Sequence, residues 1–386
     1  GACVFVNETG PYVRRHRTPE HAEIDRKDII LSSLYQPANI SCPPMHKDWF
    51  DRYALDRKAM PLDEADSIGA MFFHWFYQTI SRNSTLSESA IKAAIGVSIE
   101  TYTRFAAACL ALCHFHDEIS AAISRKLAMD RTVDSPELRS ILLESIARIT
   151  DAARLKATLQ SVGGLTEVEV ERLFSIYACA FPRARHAGDG YFPPFSLLGS
   201  DVLFCPAVVQ SMLAPRNILY SVHQQDPKRF HELVAHHLEP HLVEQAAASF
   251  SSLEDVDIVK NFKWKHGEEE GEFDLLVYHR RENTLLTIQA KASITPDGAR
   301  MVERTEDRMV EGLNQLDRFL TLGQIEQDRI ISAALQRNVK GAAVVKVLLG
   351  WAGFGGWRIW ERLDNVAPLN IALLETLVQD SSLELH

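Results

Sequence analysis

Two short stretches carry the residues best suited to chemistry: Gly-Glu-Phe-Asp-Leu-Leu-Val (271–277) and Leu-Leu-Thr-Ile-Gln-Ala-Lys (285–291). Alternate residues of a strand share a face. Glu272 and Asp274 therefore point one way, and so do Gln289 and Lys291. If Arg280-Arg281-Glu282-Asn283 turns the two strands into a hairpin, these polar groups converge at one spot. An acid, a second oxygen ligand and a lysine are the groups that metal-assisted cleavage of a phosphodiester requires. A Mg²⁺-class ion takes oxygen ligands, commonly one or two carboxylates completed by water and substrate phosphate. It activates water and neutralises developing charge. Asp274 is the foremost ligand candidate, and Gln289 adds a side-chain carbonyl oxygen. Because Gln289 carries no charge, metal affinity would lean on Asp274 and on an acid from elsewhere. Lys291 would orient the attacking water or stabilise charge in the transition state. A single surface Asp is ordinarily just solvated, and a strand Lys ordinarily lies at an edge. Here the flanks, Leu275-Leu276-Val277 and Leu285-Leu286-Thr287-Ile288, are apolar and β-prone, as buried strands are. Polar groups in such strands cost desolvation unless something charged pairs with them, which favours a site over decoration.

The surrounding pattern supplies elements to position these residues. A helix is expected from Lys228 to about Phe250, then a strand near Val256 to Trp264 and a charged loop from Lys265 to Gly271. The two motif strands follow, then a helix from about Val302 to Leu322 and a strand from Val344 to Gly350. Trp357 to Trp360 reads as a further strand. Upstream, Asp63 to Ser81 and Ser98 to Ala128 show helical spacing. Asp134-Ser135-Pro136 opens another helix, which Gly163-Gly164 closes, and Thr166 to Glu169 forms a capping box before Leu173 and Phe174. The region to about Phe181 therefore reads as a helical bundle. Gly188 to Pro194 is loop chemistry, and Leu197 to Val208 reads as a short strand pair turning at Gly199-Ser200.

The motif strands resemble the PD-(D/E)xK nuclease superfamily, with its restriction-endonuclease-like fold. The Ile-Gln-Ala-Lys form is most similar to Mrr-like type IV restriction enzymes and their relatives. The resemblance spans about Asp226 to Gln379, and the order α-β-β-β-α-β read from periodicity agrees with it. It implies that a Glu on the helix before the first core strand completes the metal site. Glu239 takes that role, with Glu232 and Glu244 as alternatives. Pro240 departs from the pattern, since proline inside a helix removes a hydrogen bond and kinks the chain. The resemblance also places a Gln on the helix after the lysine strand, a position matched by Gln315, which otherwise reads as an ordinary exposed helix residue.

Other signals compete poorly. The six cysteines (3, 42, 109, 113, 179, 205) are scattered, which suits reduced thiols in a cytoplasm. Cys109 and Cys113, with His114 and His116, have the spacing of a conceivable zinc site, but cysteines in an Ala-Leu helix read as core. His231-Glu232-Leu233-Val234-Ala235-His236 is one residue too long for a zinc-protease His-Glu-x-x-His, and His237 and His241 are separated by Pro240. Arg15 and His21 mimic a ribonuclease Arg-x5-His pair of a kind that arises by chance. No GxxxxGK[ST] phosphate loop occurs, which argues against ATP hydrolysis. No apolar run is long enough to span a bilayer. Hydrophobic residues make up 46% of the 386 and charged residues 24%, as in ordinary globular proteins. The formal net charge of −10 is acidic for a nucleic-acid binder, so a groove would have to be locally basic. Lys260, Lys263, Lys265, Arg280, Arg281, Arg300, Arg304 and Arg308 are the candidate phosphate contacts, with acids interspersed among them.

The expectation is therefore a mainly α-helical N-terminal domain (1–187) followed by an α/β restriction-endonuclease-like domain (188–386). By the resemblance, the protein would be a Mg²⁺- or Mn²⁺-dependent endonuclease acting on DNA in prokaryotic defence, cytoplasmic, with no membrane partner and with a homodimer open. The metal would be held by Glu239, Asp274 and Gln289, with Lys291 and Gln315 completing the catalytic set. Two alternatives stay open: a catalytically inactive nuclease-fold module that binds nucleic acid or protein, and a ribonuclease.

Overall fold

The structure is a computed structural model that describes residues 3–7, 10–14, 46–55, 62–82, 86–129, 136, 140, 143, 146–180, 193–213, 218–219, 222, 226–292, 299–351 and 353–379. Arg15, His21, Cys42, Asp134-Ser135 and most of the 188–194 loop lie outside the described residues, as do the side chains of Cys3, Arg300 and Arg304. The chain is mixed α/β. It forms two compact units, one of residues 1–37, 188–190 and 234–386, the other of 38–187 and 191–233. The second unit thus takes in residues 191–233, which the sequence boundary at 187/188 assigns to the C-terminal domain. Among the described residues no helix is long and apolar enough to cross a membrane.

The first described element is a two-stranded antiparallel hairpin, β1 (Cys3–Asn7) and β2 (Gly10–Arg14). The unit of residues 38–187 and 191–233 then begins with α1 (Lys47–Leu55), α2 (Leu62–Arg82), α3 (Glu88–Ile95) and the long α4 (Ile99–Met129). The face of α4 bearing Tyr102, Phe105, Cys109 and Cys113 is buried, so both cysteines are core residues, with burial pushing their thiols upward. One continuous helix closing at Gly163-Gly164 is expected from sequence. Instead β3 (Arg148–Asp151) precedes α5 (Ala152–Gly163). The β-branched Ile149 and Thr150 suit a strand, and the Asp151 side chain caps the new helix by accepting from Arg154 N–H at 2.8 Å. Next come α6 (Glu167–Tyr177), whose Thr166–Glu169 capping box forms in both directions, and β4 (Ala178–Ala180). Strands β5 (Phe195–Leu198) and β6 (Asp201–Phe204) pair around Gly199-Ser200, and β3, β6, β5 and β4 make a four-stranded sheet. Residues 206–208 belong not to that strand pair but to α7 (Pro206–Met212), where Pro206 sits in the first turn and needs no N–H partner.

Residues 227–250 are helical in three pieces: α8 (Pro227–Leu233), a π-helical turn (Val234–Leu238) and α9 (Glu239–Phe250). The π turn resolves the difficulty posed by Pro240. The α-helix restarts at Glu239, so Pro240 falls in its first turn, where no intrahelical donor is required. Strands β7 (Val256–His266), β8 (Glu269–His279) and β9 (Thr284–Lys291) form an antiparallel meander. A helical pair, α10 (Ala299–Leu320) and α11 (Gln324–Leu335), crosses to β10 (Ala343–Gly350), which runs parallel to β9. Parallel neighbours need such a crossover. A short helix, α12 (Trp357–Trp360), leads to β11 (Val366–Asn370), parallel to β10, and α13 (Ile371–Gln379) follows. The sheet order is β11-β10-β9-β8-β7.

Two apolar clusters hold the sheet to its helices. Leu276, Tyr278 and Leu285 pack with Phe319 of α10 and with Ile330 and Ile331 of α11. Met309, Leu313 and Leu316, on one stripe of α10, pack with Leu348, Phe354 and Ile359. The neighbouring stripe of α10 carries Arg308, Gly312 and Gln315, and helix α9 packs against β7, β8 and β9.

Candidate functional site

Strands β8 and β9 pair from His279–Thr284 as far as Leu275–Ile288, and there the ladder ends. Beyond that point side chains take over the backbone groups. Asp274 Oδ2 accepts the N–H of Ala290 at 2.7 Å, and Gln289 Nε2 donates to the carbonyl of Glu272. The strands are thus splayed around Asp274 and Gln289, while β9 keeps its pairing to β10 through Lys291–Gly350. On the other side of β8, the ladder with β7 skips Asn261 and Asp274, and Asn261 has a left-handed φ of 52°. Asp274 therefore sits where the meander loosens on both sides.

The Gln289 amide is fixed by its nitrogen, which turns its oxygen, the end able to ligate a cation, to the other side. Gln289 and Lys291 are 2% and 6% exposed, an unusual setting for a lysine. The Lys291 stem lies along Gly312 of α10, where a Cβ would stand 3.2 Å from its Cε. Burial pushes the Asp274 carboxyl up to about 6. The Ala290 N–H and the Lys291 charge oppose that shift, whereas Glu239 and Glu272 add to it. Glu239, Glu272 and Lys291 are thus each close enough to Asp274 for their charges to act on it.

The alternatives for the helix acid separate clearly. Glu239, at the start of α9, is the one whose charge Asp274 feels, and it accepts a 2.5 Å bond from Arg308 Nη2 on α10. Glu244 is exposed and grips Lys260 with both oxygens at 2.7 Å. Glu232 is an exposed residue of α8, in the other unit. Gln315 lies two turns beyond Arg308 on the same stripe. Its Oε1 is buried and has no hydrogen-bond partner among the described residues, and the same holds for Arg308 Nε.

Several candidate phosphate contacts are engaged elsewhere. Arg280 and Arg281 hold Asp255 and Asp257 near the β8–β9 turn, and Lys263 lies 3.7 Å from Glu272. Sequence reasoning did not find the Glu239–Arg308 pair, whose members lie 69 positions apart. Gly312 did leave a signal, because glycine inside a long helix costs stability and usually has a packing reason.

Among the described residues no three His, Cys, Asp or Glu side chains are grouped to hold a metal ion. That applies equally to the histidines of 231–241 and to the Cys109 region. The donors around Asp274 form a mixed set instead: a carboxylate, an amide oxygen, and Glu239, whose Oε1 is taken by Arg308. Such a set suits a hard divalent cation that keeps several waters.

No family model matches the chain, and no curated protein matches it. A comparison with solved structures finds the crystal structure of protein VC1899 from Vibrio cholerae, at 12% identity and a TM-score of 0.18. The match covers 73% of this chain and 55% of that one. Similarity at this level carries no argument about fold or chemistry.

Proposed function

We propose that the unit containing residues 234–386 is a metal-dependent nuclease of the PD-(D/E)xK kind, hydrolysing phosphodiester bonds, with DNA as the favoured substrate. The observation that carries this reading is the splayed end of β8 and β9, where a buried lysine, a fixed amide and a carboxyl raised to about 6 meet. Perturbed acids beside a specific charge partner cluster at functional sites. The strand and helix order of this unit is compatible with a restriction-endonuclease-like core.

In this reading a Mg²⁺ or Mn²⁺ ion supplies charge neutralisation and an activated water. Asp274 would hold it through the oxygen not committed to the backbone of Ala290, and Gln289 would contribute its amide oxygen. Glu239 would complete the set on leaving Arg308. Lys291, held by the packing of its stem on Gly312, keeps its ammonium at the reacting phosphate and stabilises the charge that develops there. Gln315 lies further along the same helical stripe. Prokaryotic defence would be the setting by analogy alone.

The test is cleavage of supercoiled plasmid with Mg²⁺ or Mn²⁺, beside Lys291→Ala. Nicking or linearisation that disappears in the variant supports the reading; equal cutting by both sinks the site. If wild type cuts no DNA, trials on RNA separate a ribonuclease from an inactive module. The inactive module has one observation in its favour: the acid expected to complete the metal site is bound to an arginine.

A further inference from the structure

The pairing of Glu239 with Arg308 is one-ended. A guanidinium bonds a carboxylate best through two parallel N–H groups. Here Arg308 uses Nη2, and its Nε is buried without a hydrogen-bond partner among the described residues. Arg308 thus reaches Glu239 with one end of its fork while another donor stays unused, which makes the contact replaceable. Arg308 also lies one helical turn before Gly312, against which the stem of Lys291 from β9 packs. Neither residue of the pair is fully buried: the side chains are 33% and 23% exposed.

We propose that Arg308 is a placeholder cation: it occupies the Glu239 carboxylate in the metal-free protein, yields that carboxylate to the divalent ion, and turns its fork to a phosphate of the nucleic acid. The inference rests on the nuclease reading above. The exchange involves no covalent step. It keeps local charge balanced, because one cation leaves the acid as another arrives. It also ties substrate binding to metal loading, since Arg308 is released to phosphate only when Glu239 has another partner. Arg308 is well suited to this role, because a guanidinium matches phosphate as well as it matches carboxylate.

The proposal predicts two effects of opposite sign, which a merely structural ion pair would not give. Mn²⁺ binding would be followed by electron paramagnetic resonance of the free ion, with nucleic acid absent, for wild type, Arg308→Gln, Arg308→Lys and Asp274→Asn. Plasmid cleavage would be measured at saturating Mn²⁺. Removing the competitor should tighten Mn²⁺ binding by Arg308→Gln roughly 3- to 10-fold, while cleavage falls by roughly 10-fold or more through loss of the phosphate contact. Arg308→Lys keeps a charge but loses the fork, so it should show the same two signs with a smaller gain in affinity. Should the Gln variant fail to fold by circular dichroism, the Lys variant alone decides. Unchanged or weakened Mn²⁺ binding in a folded variant overturns the exchange, and so does unchanged cleavage. Failure of the underlying reading looks different: wild type and Asp274→Asn would then bind Mn²⁺ equally or not at all.

Discussion

Asp274 Oδ2 stands 2.7 Å from the backbone nitrogen of Ala290 and accepts its hydrogen, across the point where β8 and β9 stop pairing. A side chain has replaced a ladder bond. The replacement holds the strands apart without leaving a buried N–H unsatisfied. It also commits one carboxylate oxygen to the backbone, while the Gln289 amide nitrogen is committed from the opposite strand by donating to Glu272. The notch is thus built from the residues that would work in it.

A pH dependence follows from Asp274. Burial lifts its carboxyl from an ordinary 3.8 to about 6 in the folded protein. The folded state therefore holds a proton that the unfolded chain releases. This group's stability contribution is fully present below 3.8 and is lost as pH rises through about 6. With each unit worth about 1.4 kcal/mol, the loss is on the order of 3 kcal/mol. Asp274→Asn, which mimics the protonated form, should raise the melting temperature of the chelator-treated protein at pH 8 and leave it nearly unchanged at pH 4. Thermal denaturation across that range checks it. A variant that melts lower than wild type at pH 8 would show that the Asp274 charge is well compensated without metal.

Gln289→Glu tests the second ligand. By charge alone, a metal site should accept the acid gladly. The structure adds a cost, because a carboxylate at 289 would face the Glu272 carbonyl where the amide now donates. Leaving that half-buried acceptor opposed by an anion costs about 1–3 kcal/mol. The metal-free variant should therefore melt lower than wild type at neutral pH and gain more from added Mg²⁺. Differential scanning calorimetry with and without Mg²⁺ reads both effects. A melting temperature indifferent to Mg²⁺ in wild type and variant alike would remove Gln289 from the ligand set and favour the inactive module.

What the sequence made legible was what alternation and turns encode. The apolar flanks of Asp274 and Gln289 marked two strands, and the turn at 280–283 set them face to face, with Asn283 adopting a left-handed φ of 48°. Polarity misled where strands extend past the core. Lys265 to Gly271 reads as a loop, yet β7 and β8 run through most of it, with Lys263 opposite Glu272 and Lys265 opposite Glu270. Cross-strand opposite charges stabilise such a ribbon without burial. Trp357 to Trp360, expected as a strand, is helical, because Ile359 turns inward to join Phe354 in the core. The strand at that edge is β11, disguised by Pro368, which an edge strand tolerates. The additional helix α11 was not anticipated, and neither was β3. The Glu239–Arg308 pair left no local trace, since tertiary packing alone joins residues so far apart.

Gly312 gives a test that separates packing from helix propensity. Replacing a mid-helix glycine by alanine ordinarily stabilises by about 1 kcal/mol. Here the new Cβ would stand 2.8 Å from Leu348 Cδ1 and 3.2 Å from Lys291 Cε. Leu348 is fully buried on a central strand and has little room to yield. Overpacking of this kind costs about 1–3 kcal/mol, so Gly312→Ala should destabilise by about 1 kcal/mol net despite its better helix propensity. The same methyl pushes on the Lys291 stem, which supports the ammonium over the site. Cleavage should therefore fall more than stability does, and at temperatures where the variant remains folded. Urea denaturation beside plasmid cleavage reads the two separately. If Gly312→Ala proves more stable and cuts at the wild-type rate, α10 has slack against β9 and β10, and Lys291 does not depend on that contact for its position.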